Sequence, residues 1–167
     1  MRELLSNYGK IDILFFDGPS DGLREFCWQT DPDIVITRGA ISTPEQRMPG
    51  AQSPEPWEAC VTMGTGWQFK PTNESYKSGT QLIELLIETR AKGGNLNLNI
   101  GPRSNGELAI EQDGLLREIA LWHFVNGEAV HGVKPWRVAN EGDVWFTASK
   151  EEQTVYAFLT RGGEWRQ

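Results

Sequence analysis

Apolar and polar positions along the chain follow two periods, and each change of period marks an element. Ile11-Asp12-Ile13-Leu14-Phe15-Phe16-Asp17 is an apolar run that stops at a carboxylate and is broken by Gly18-Pro19, which predicts a buried strand over residues 11–17. On a strand Ile11, Ile13, Phe15 and Asp17 share one face, and Leu14 and Phe16 take the other. Before it, Met1 to Tyr8 reads as the last turns of a helix that Gly9 stops. After it, Ser20 to Thr30 is amphipathic, with Leu23, Phe26 and Cys27 on one face, and Asp31-Pro32 ends it. Asp33 to Arg38 is a second, β-branched strand. Strand, helix and strand with short links form a βαβ unit, so the two strands are expected to be parallel.

From Gly39 to Pro56 the periodicity vanishes into Pro, Gly, Ser and Gln. A long irregular loop after a parallel strand is usually functional or mobile. Ala59 to Met63 is a third strand candidate, followed by a loop from Gly64 to Lys77. Ser78 to Lys92 is the clearest helix: Ser78 is placed to cap it, Leu82, Ile83, Leu86 and Ile87 form its stripe, and Gly93-Gly94 closes it. Asn95 to Ile100 alternates cleanly as a fourth strand, leucines and Ile100 on one face and three asparagines on the other. Glu111 to Asn126 is a long helix with Leu115, Ile119, Trp122 and Val125 expected inward. Past Val130 the pattern turns to β. Asp143 to Ser149 and Thr154 to Thr160, joined by a charged turn, read as an antiparallel hairpin.

Four strands with helices between them are half of what a closed (β/α)8 barrel needs, and such a barrel typically takes about 250 residues. The expected fold is therefore α/β: residues 1–130 as the C-terminal half of a (β/α)8 TIM-like barrel, and residues 131–167 as the beginning of an antiparallel β domain. An open four-stranded sheet is the alternative. A helix that starts at the first residue without a cap fits a fragment of a longer protein.

Composition narrows the function. A net charge of −7 with no basic stripe argues against nucleic acid as a partner, and no stretch is long enough to span a membrane. Cys27 and Cys60 sit in apolar contexts without metal-ligand spacing. The chain has no Walker loop, Rossmann fingerprint or His/Cys cluster, and His123 and His131 have no triad or metal spacing. Seven tryptophans form either core or sugar-stacking walls.

An acid on the apolar face of a strand, at its last position, is costly unless it has a role or a partner. In parallel α/β proteins that position is where active sites form. Asp17 is thus either a catalytic carboxylate or a turn-shaping one. Glycoside hydrolysis uses two carboxyl groups. Glu45, Glu55 and Glu58 are the acids of the long loop; the first two read as solvated charge. Glu58 has an aromatic neighbour, Trp57, that suits a proton donor. It is expected in the loop, reaching over the barrel mouth. Arg47 is a carboxylate or hydroxyl contact or else a solvated side chain, and Trp67 a sugar platform or a packed loop anchor. Asn95, Asn97 and Asn99 bond a substrate or one another.

At these residues the chain resembles glycoside hydrolase family 29, the α-L-fucosidases. The likeness runs through Leu4-Leu5, Tyr8-Gly9, Ile11-Asp12 and Phe16-Asp17-Gly18, then Thr43-Pro44-Glu45 and Pro56-Trp57-Glu58-x-Cys60. It resumes at Gly93-Gly94-Asn95, Leu98 to Pro102 and Trp122 to Glu128, covering nearly all of residues 1–136. The resemblance implies a retaining mechanism on a (β/α)8 barrel followed by a β-sandwich, with Asp17 as nucleophile and Glu58 as acid/base. Arg47 and Trp67 would be substrate contacts. It also implies a fucosylated oligosaccharide or glycoconjugate as substrate, no metal or organic cofactor, and a secreted, periplasmic or lysosomal setting. The chain departs from the family in reading Gly66-Trp67-Gln68 where Trp-Gly-Tyr is usual, and in lacking the barrel's N-terminal half. Two further readings are a non-catalytic carbohydrate-binding module and a retaining barrel glycosidase for another sugar.

Overall fold

The computed structural model describes residues 1–160. Its first part alternates helices with short parallel strands. Helix α1 (Arg2–Asn7) leads into strand β1 (Ile13–Leu14), helix α2 (Leu23–Thr30) and strand β2 (Val35–Ile36). β1 and β2 pair in parallel, Ile13 opposite Val35 and Leu14 opposite Ile36, as the βαβ reading requires. The regular strand is shorter than the apolar run, but the pairing continues: Phe16 N–H donates to the Arg38 carbonyl at 3.2 Å. The two faces divide as alternation demands. Leu14 and Phe16 pack with Cys27, Ile34 and Ile36 under α2, while Ile13 and Phe15 turn to the other side, 61% and 37% exposed.

Strand β3 (Glu58–Thr62) pairs in parallel with β4 (Asn95–Asn99), Glu58 opposite Asn95 and Thr62 opposite Asn99. Between them runs helix α3 (Gly79–Ala91). Its start is fixed by a capping box: Ser78 Oγ accepts from the Gln81 N–H at 3.1 Å, and Gln81 Oε1 accepts from the Ser78 N–H at 2.9 Å. Leu82, Ile83 and Ile87 are buried against the strands, each worth about 2 kcal/mol of apolar transfer. Trp57, Ala59 and Val61 meet Leu85 and Leu96 there. Gly93-Gly94 does more than stop the helix. Gly93 has φ +87°, and a Cβ on Gly94 would lie 2.3 Å from the Trp57 indole, so only glycine lets the chain turn past that ring.

Two findings differ from the sequence expectation in this part. The segment Ser42 to Gln46, read as irregular, is strand-like: Ser42 bridges Trp57 and Glu45 bridges Cys60 in parallel. Glu58 N–H donates to the Ser42 carbonyl and Cys60 N–H to the Pro44 carbonyl, both at 3.0 Å. And helix α4 (Ile110–Asn126) turns Val125 outward rather than inward, 74% exposed, with Leu121 and Phe124 at 71% and 90%. α4 packs on α3 along one side, which covers only part of its apolar circumference. Among the described residues the parallel strands form two separate pairs and no closed barrel.

After a 3-10 turn (Gly127–Ala129) the chain enters an antiparallel sheet of β5 (Val133–Glu141), β6 (Val144–Ser149) and β7 (Val155–Leu159), ordered β5-β6-β7. The β6–β7 hairpin is the one expected. β5 was not: Pro135 argues against a strand interior, and β5 accommodates it by lying at the sheet edge with a register shift between Pro135 and Asn140. The expected β domain reaches residue 167; residues 161–167 lie outside the described residues.

Candidate active site

The side of the strands that faces away from the helices lines an open cavity of about 490 Å³. It exists because alternate residues of each strand point into it: Ile13, Phe15 and Asp17 from the first strand run, Glu58 and Cys60 from β3, Asn97 and Asn99 from β4. Of the four residues assigned to the site from sequence, Asp17, Glu58 and Trp67 line it. Arg47 does not. It is exposed and makes no hydrogen bond or ion pair among the described residues.

Asp17 stands three residues past β1. Its side chain is 81% exposed, and Oδ1 accepts a hydrogen bond from Arg38 Nη1 at 3.0 Å. Arg38 Nη2 also donates to Glu45 Oε2 at 2.8 Å, so one guanidinium holds two carboxylates. Burial works against the Arg38 charge, but the Glu45 and Asp17 pairings outweigh it and hold its pKa above the ordinary value. Glu58 is not in the loop. It is the first residue of β3, because the bond from its N–H to Ser42 starts the ladder one residue earlier than the apolar run suggested. That puts it at the N-terminal end of its strand, on the inward face. Its Oε1 accepts from the Asn97 amide at 3.3 Å. Cys60 lies among these groups. Burial raises its pKa; Glu45, Glu58 and Asp17 add to the rise and Arg38 opposes it. The thiol is a neutral wall, not a nucleophile.

Trp67 reaches the cavity from the loop after β3 and is 42% exposed. The loop is tied by one carboxylate: Glu74 Oε1 accepts from the Thr65 N–H at 2.8 Å, the Thr65 hydroxyl at 2.7 Å and the Ser75 N–H at 3.0 Å. The Thr65 bonds and the Ser75 bond hold its pKa below the usual carboxylate value. On the floor, the Asn97 and Asn99 amides present donors and acceptors, and Asn99 Oδ1 is buried with no donor among the described residues, the kind of acceptor that a hydroxyl or a water satisfies. No group of three or more His, Cys, Asp or Glu suited to a metal ion occurs among the described residues.

Comparison with known proteins settles the lineage. The profile of the family described as Alpha-L-fucosidase matches residues 1–128. The chain belongs to that family. It is 33% identical to the plasma alpha-L-fucosidase of Homo sapiens, over 96% of this chain and 40% of that protein. It is 38% identical to the tissue alpha-L-fucosidase of Mus musculus, over 60% of this chain and 23% of that one. Alpha-L-fucosidase isoenzyme 1 from Paenibacillus thiaminolyticus superposes with a TM-score of 0.81 at 27% identity, covering 89% of this chain and 42% of that structure. At 18% identity, the fold is shared with an alpha-L-fucosidase of Bacteroides thetaiotaomicron trapped as a covalent intermediate with 2-fluoro-fucosyl fluoride, TM-score 0.81. The chain spans about 40% of the length of the human plasma enzyme and of the Paenibacillus structure, and less of the mouse one.

Sequence reasoning missed Arg38 and undervalued Glu45. Arg38 was visible as the last residue of the second strand run, one strand over from Asp17. Its own neighbours gave no signal: the pairing sets Arg38 beside Phe16, and its reach to Asp17 is visible only in the structure. Glu45 carried none, because its strand character comes from pairing with β3 and not from its own neighbours.

Proposed function

We propose that this chain is the C-terminal part of a retaining α-L-fucosidase, comprising half of a (β/α)8 barrel over residues 1–130 and the start of a β-sandwich from residue 131. The substrate is a glycan or glycoconjugate ending in α-L-fucose. The observation that carries the reading is that Asp17 and Glu58 both line one cavity with Trp67, and that Arg38 bonds Asp17 there.

The two carboxyls differ in the way their roles require. Asp17 is held by a guanidinium, which suits a nucleophile that attacks as an anion. Glu58 meets a neutral amide, which suits a group that must carry and give up a proton. In the first step an Asp17 oxygen attacks the anomeric carbon. The glycosidic C–O bond breaks, its electron pair goes to the leaving oxygen, and that oxygen takes the Glu58 proton. In the second step Glu58, now a carboxylate, takes a proton from water. The water oxygen attacks the same carbon and Asp17 leaves with the electron pair. Two inversions retain configuration, and such pairs work at a carboxyl separation of about 5 Å. Trp67 offers an indole face to the C–H side of the sugar, and Asn97 and Asn99 lie where hydroxyls would be read. Arg47 serves as a substrate contact only if its exposed loop folds over the bound sugar.

The test is hydrolysis of a chromogenic α-L-fucoside by the protein as naturally encoded. Asp17→Ala should lower kcat by on the order of a thousandfold, and azide should restore turnover by forming a β-fucosyl azide. Glu58→Gln should slow substrates with poor leaving groups more than activated ones. Turnover that persists unchanged in Asp17→Ala removes the nucleophile assignment. Fucose binding without turnover in the parent protein favours the binding-module reading instead.

A further inference from the structure

A second, smaller cavity of about 290 Å³ opens between the loop after β3 and the loop after β4. It lies one step from the first. Trp67 lines the larger cavity and Phe69 this one, and residues two apart have Cα atoms no more than about 7 Å from each other. Both loops leave the C-terminal ends of parallel strands, the end of such sheets at which ligands bind. They are also held to each other. A Cβ on Gly101 would lie 2.6 Å from the Phe69 amide nitrogen, so the two backbones touch there. The buried Gln112 amide closes both bonds of Gly101: Oε1 accepts from its N–H and Nε2 donates to its carbonyl, each at 3.1 Å. Nε2 also donates to the Tyr76 hydroxyl at 3.1 Å. The walls are therefore fixed before anything enters.

Those walls present unused hydrogen-bonding capacity of both kinds. Arg103 lies over the Phe69 ring, Cζ 5.6 Å from its centroid, and its guanidinium bonds no carboxylate or carbonyl among the described residues. The turn that carries it is closed by its own backbone: Arg103 N–H donates to the Glu107 carbonyl at 2.8 Å, and Gly106 N–H to the Arg103 carbonyl at 2.9 Å. The Tyr76 hydroxyl accepts from Gln112, while its own proton meets no acceptor among the described residues. On the acceptor side, Glu74 uses Oε1 for Thr65 and Ser75, and its Oε2 has no donor among the described residues. Lys70 and Arg103 balance Glu74 and Glu111 around the cavity, so no net charge draws an ion in. A ring of hydroxyls, each both donor and acceptor, with C–H groups for the Phe69 ring, meets all of these features. The volume is at the small end of ligand pockets and takes one such ring, not a chain.

We infer that this cavity is a subsite for one neutral sugar ring of the glycan that departs, an inference that rests on the fucosidase reading. Fucose is the terminal residue, so every other ring of the substrate is on the leaving side. A ring seated here anchors that side beyond Trp67. Arg103 and Tyr76 donate to its hydroxyls, and Glu74 Oε2 accepts from one. None of the three makes or breaks a bond. Their contacts strengthen the binding of glycans and contribute nothing to an aryl fucoside, whose leaving group offers no hydroxyl.

The experiment compares substrates of the protein as naturally encoded. Two of them, 2′-fucosyllactose and 3-fucosyllactose, carry further rings; 4-nitrophenyl α-L-fucoside carries none. The quantity read is the ratio of kcat/KM for the glycan to that for the aryl fucoside. Arg103→Met should lower the ratio about tenfold and Tyr76→Phe about threefold. Arg117→Ala, on the exposed side of α4, should leave it where it is. High salt should also leave the parent ratio where it is, because the ring is uncharged. Constant ratios in Arg103→Met and Tyr76→Phe overturn the inference, as do equal losses on both kinds of substrate, which mark a structural role. A parent ratio that falls with salt overturns the neutral ring, and a parent that cleaves the aryl fucoside but neither glycan overturns the subsite. Thermal midpoints are measured on every variant; if Tyr76→Phe does not fold, Arg103→Met and Arg103→Lys decide. Asp17→Ala separates the two levels. Undiminished aryl fucoside turnover there sinks the reading of function, whereas its loss with azide rescue leaves that reading standing and puts any failure on the second cavity.

Discussion

Replacing Arg90 with methionine should cost the fold about 3 kcal/mol. Arg90 lies in the last turn of α3, and its guanidinium works without a carboxylate. Nε donates to the Val130 carbonyl at 3.1 Å, Nη1 to the Gly94 carbonyl at 2.6 Å and to Asn95 Oδ1 at 3.2 Å, and Nη2 to the Val133 carbonyl at 3.3 Å. One side chain therefore ties the last turn of α3 to the start of β4, the end of the 3-10 turn and the start of β5. Burial holds its pKa below the usual guanidinium value, a sign that the site opposes the charge in part. Methionine keeps much of the apolar stem but leaves three carbonyls without a donor, and Val130 and Val133 are 1% and 6% exposed, so water does not replace it. Orphaned buried acceptors cost about 1–3 kcal/mol each. Relief from desolvating the guanidinium returns part of that, which brings the sum to about 3 kcal/mol. Arg90→Lys should recover about a third, since one ammonium cannot serve three directions. The assay is urea unfolding followed by far-UV circular dichroism, with Arg117→Ala as the control. Arg117 pairs with Asp113 on the exposed side of α4, 75% exposed, and its loss should leave the unfolding midpoint where it is, because solvent screens such a pair. If Arg90→Met unfolds at the same urea concentration as the parent, or shifts no more than Arg117→Ala, the account of α3 and the β sheet as joined by this clamp is wrong.

Two predictions concern pH and reactivity. Glu74 has its pKa lowered from 4.5 by the Thr65 and Ser75 bonds, so its hold on the Trp67 loop is complete above pH 4.5 and lost as pH falls below it; amide protection over residues 64–77 should drop on acidification, and Glu74→Gln should abolish that drop. A loop equally protected at pH 3 and pH 6 would contradict this. Burial raises the pKa of Cys27 and Cys60, so both should react more slowly with a disulfide reagent at pH 8 than after urea is added, and Cys27, fully buried, more slowly than Cys60 on the cavity wall. The same shifts mean that the stability they lend is complete below pH 9.0 and lost as pH rises further. Rapid native labelling of either thiol would show that the wall around it opens.

What the sequence disclosed and what it hid follow from where the information lies. The first strand, α3 and β4 could be read because their own residues carry the pattern. Leu96 packs with Trp57 as the alternation demands, and Ser78 and Gln81 cap α3 as their spacing demands. Ser42 to Gln46 could not be read, since a segment holding Pro44 and polar neighbours becomes strand-like only by pairing with β3. β5 was hidden for a related reason: a proline forbidden in a central strand is harmless at an edge. The site divides in the same way. Asp17 was visible because an acid ending an apolar run violates the local rule, and the violation finds its partner in Arg38. The partner itself violated nothing, since an arginine at a strand end is ordinary until the neighbouring strand is known. Glu58 shows the finest grain of the problem. Its strand begins one residue earlier than its apolarity suggests, and that single residue moves a carboxylate from a loop to the inward face of a strand. Whether it reaches a sugar held by Asp17 then depends on the length of its side chain and on the Asn97 amide that orients it, which is why Asn97→Ala belongs beside Glu58→Gln in any kinetic series: if Asn97 only fills the floor, its loss leaves leaving-group dependence untouched, and if it aims Glu58, the two variants slow the same poor leaving groups.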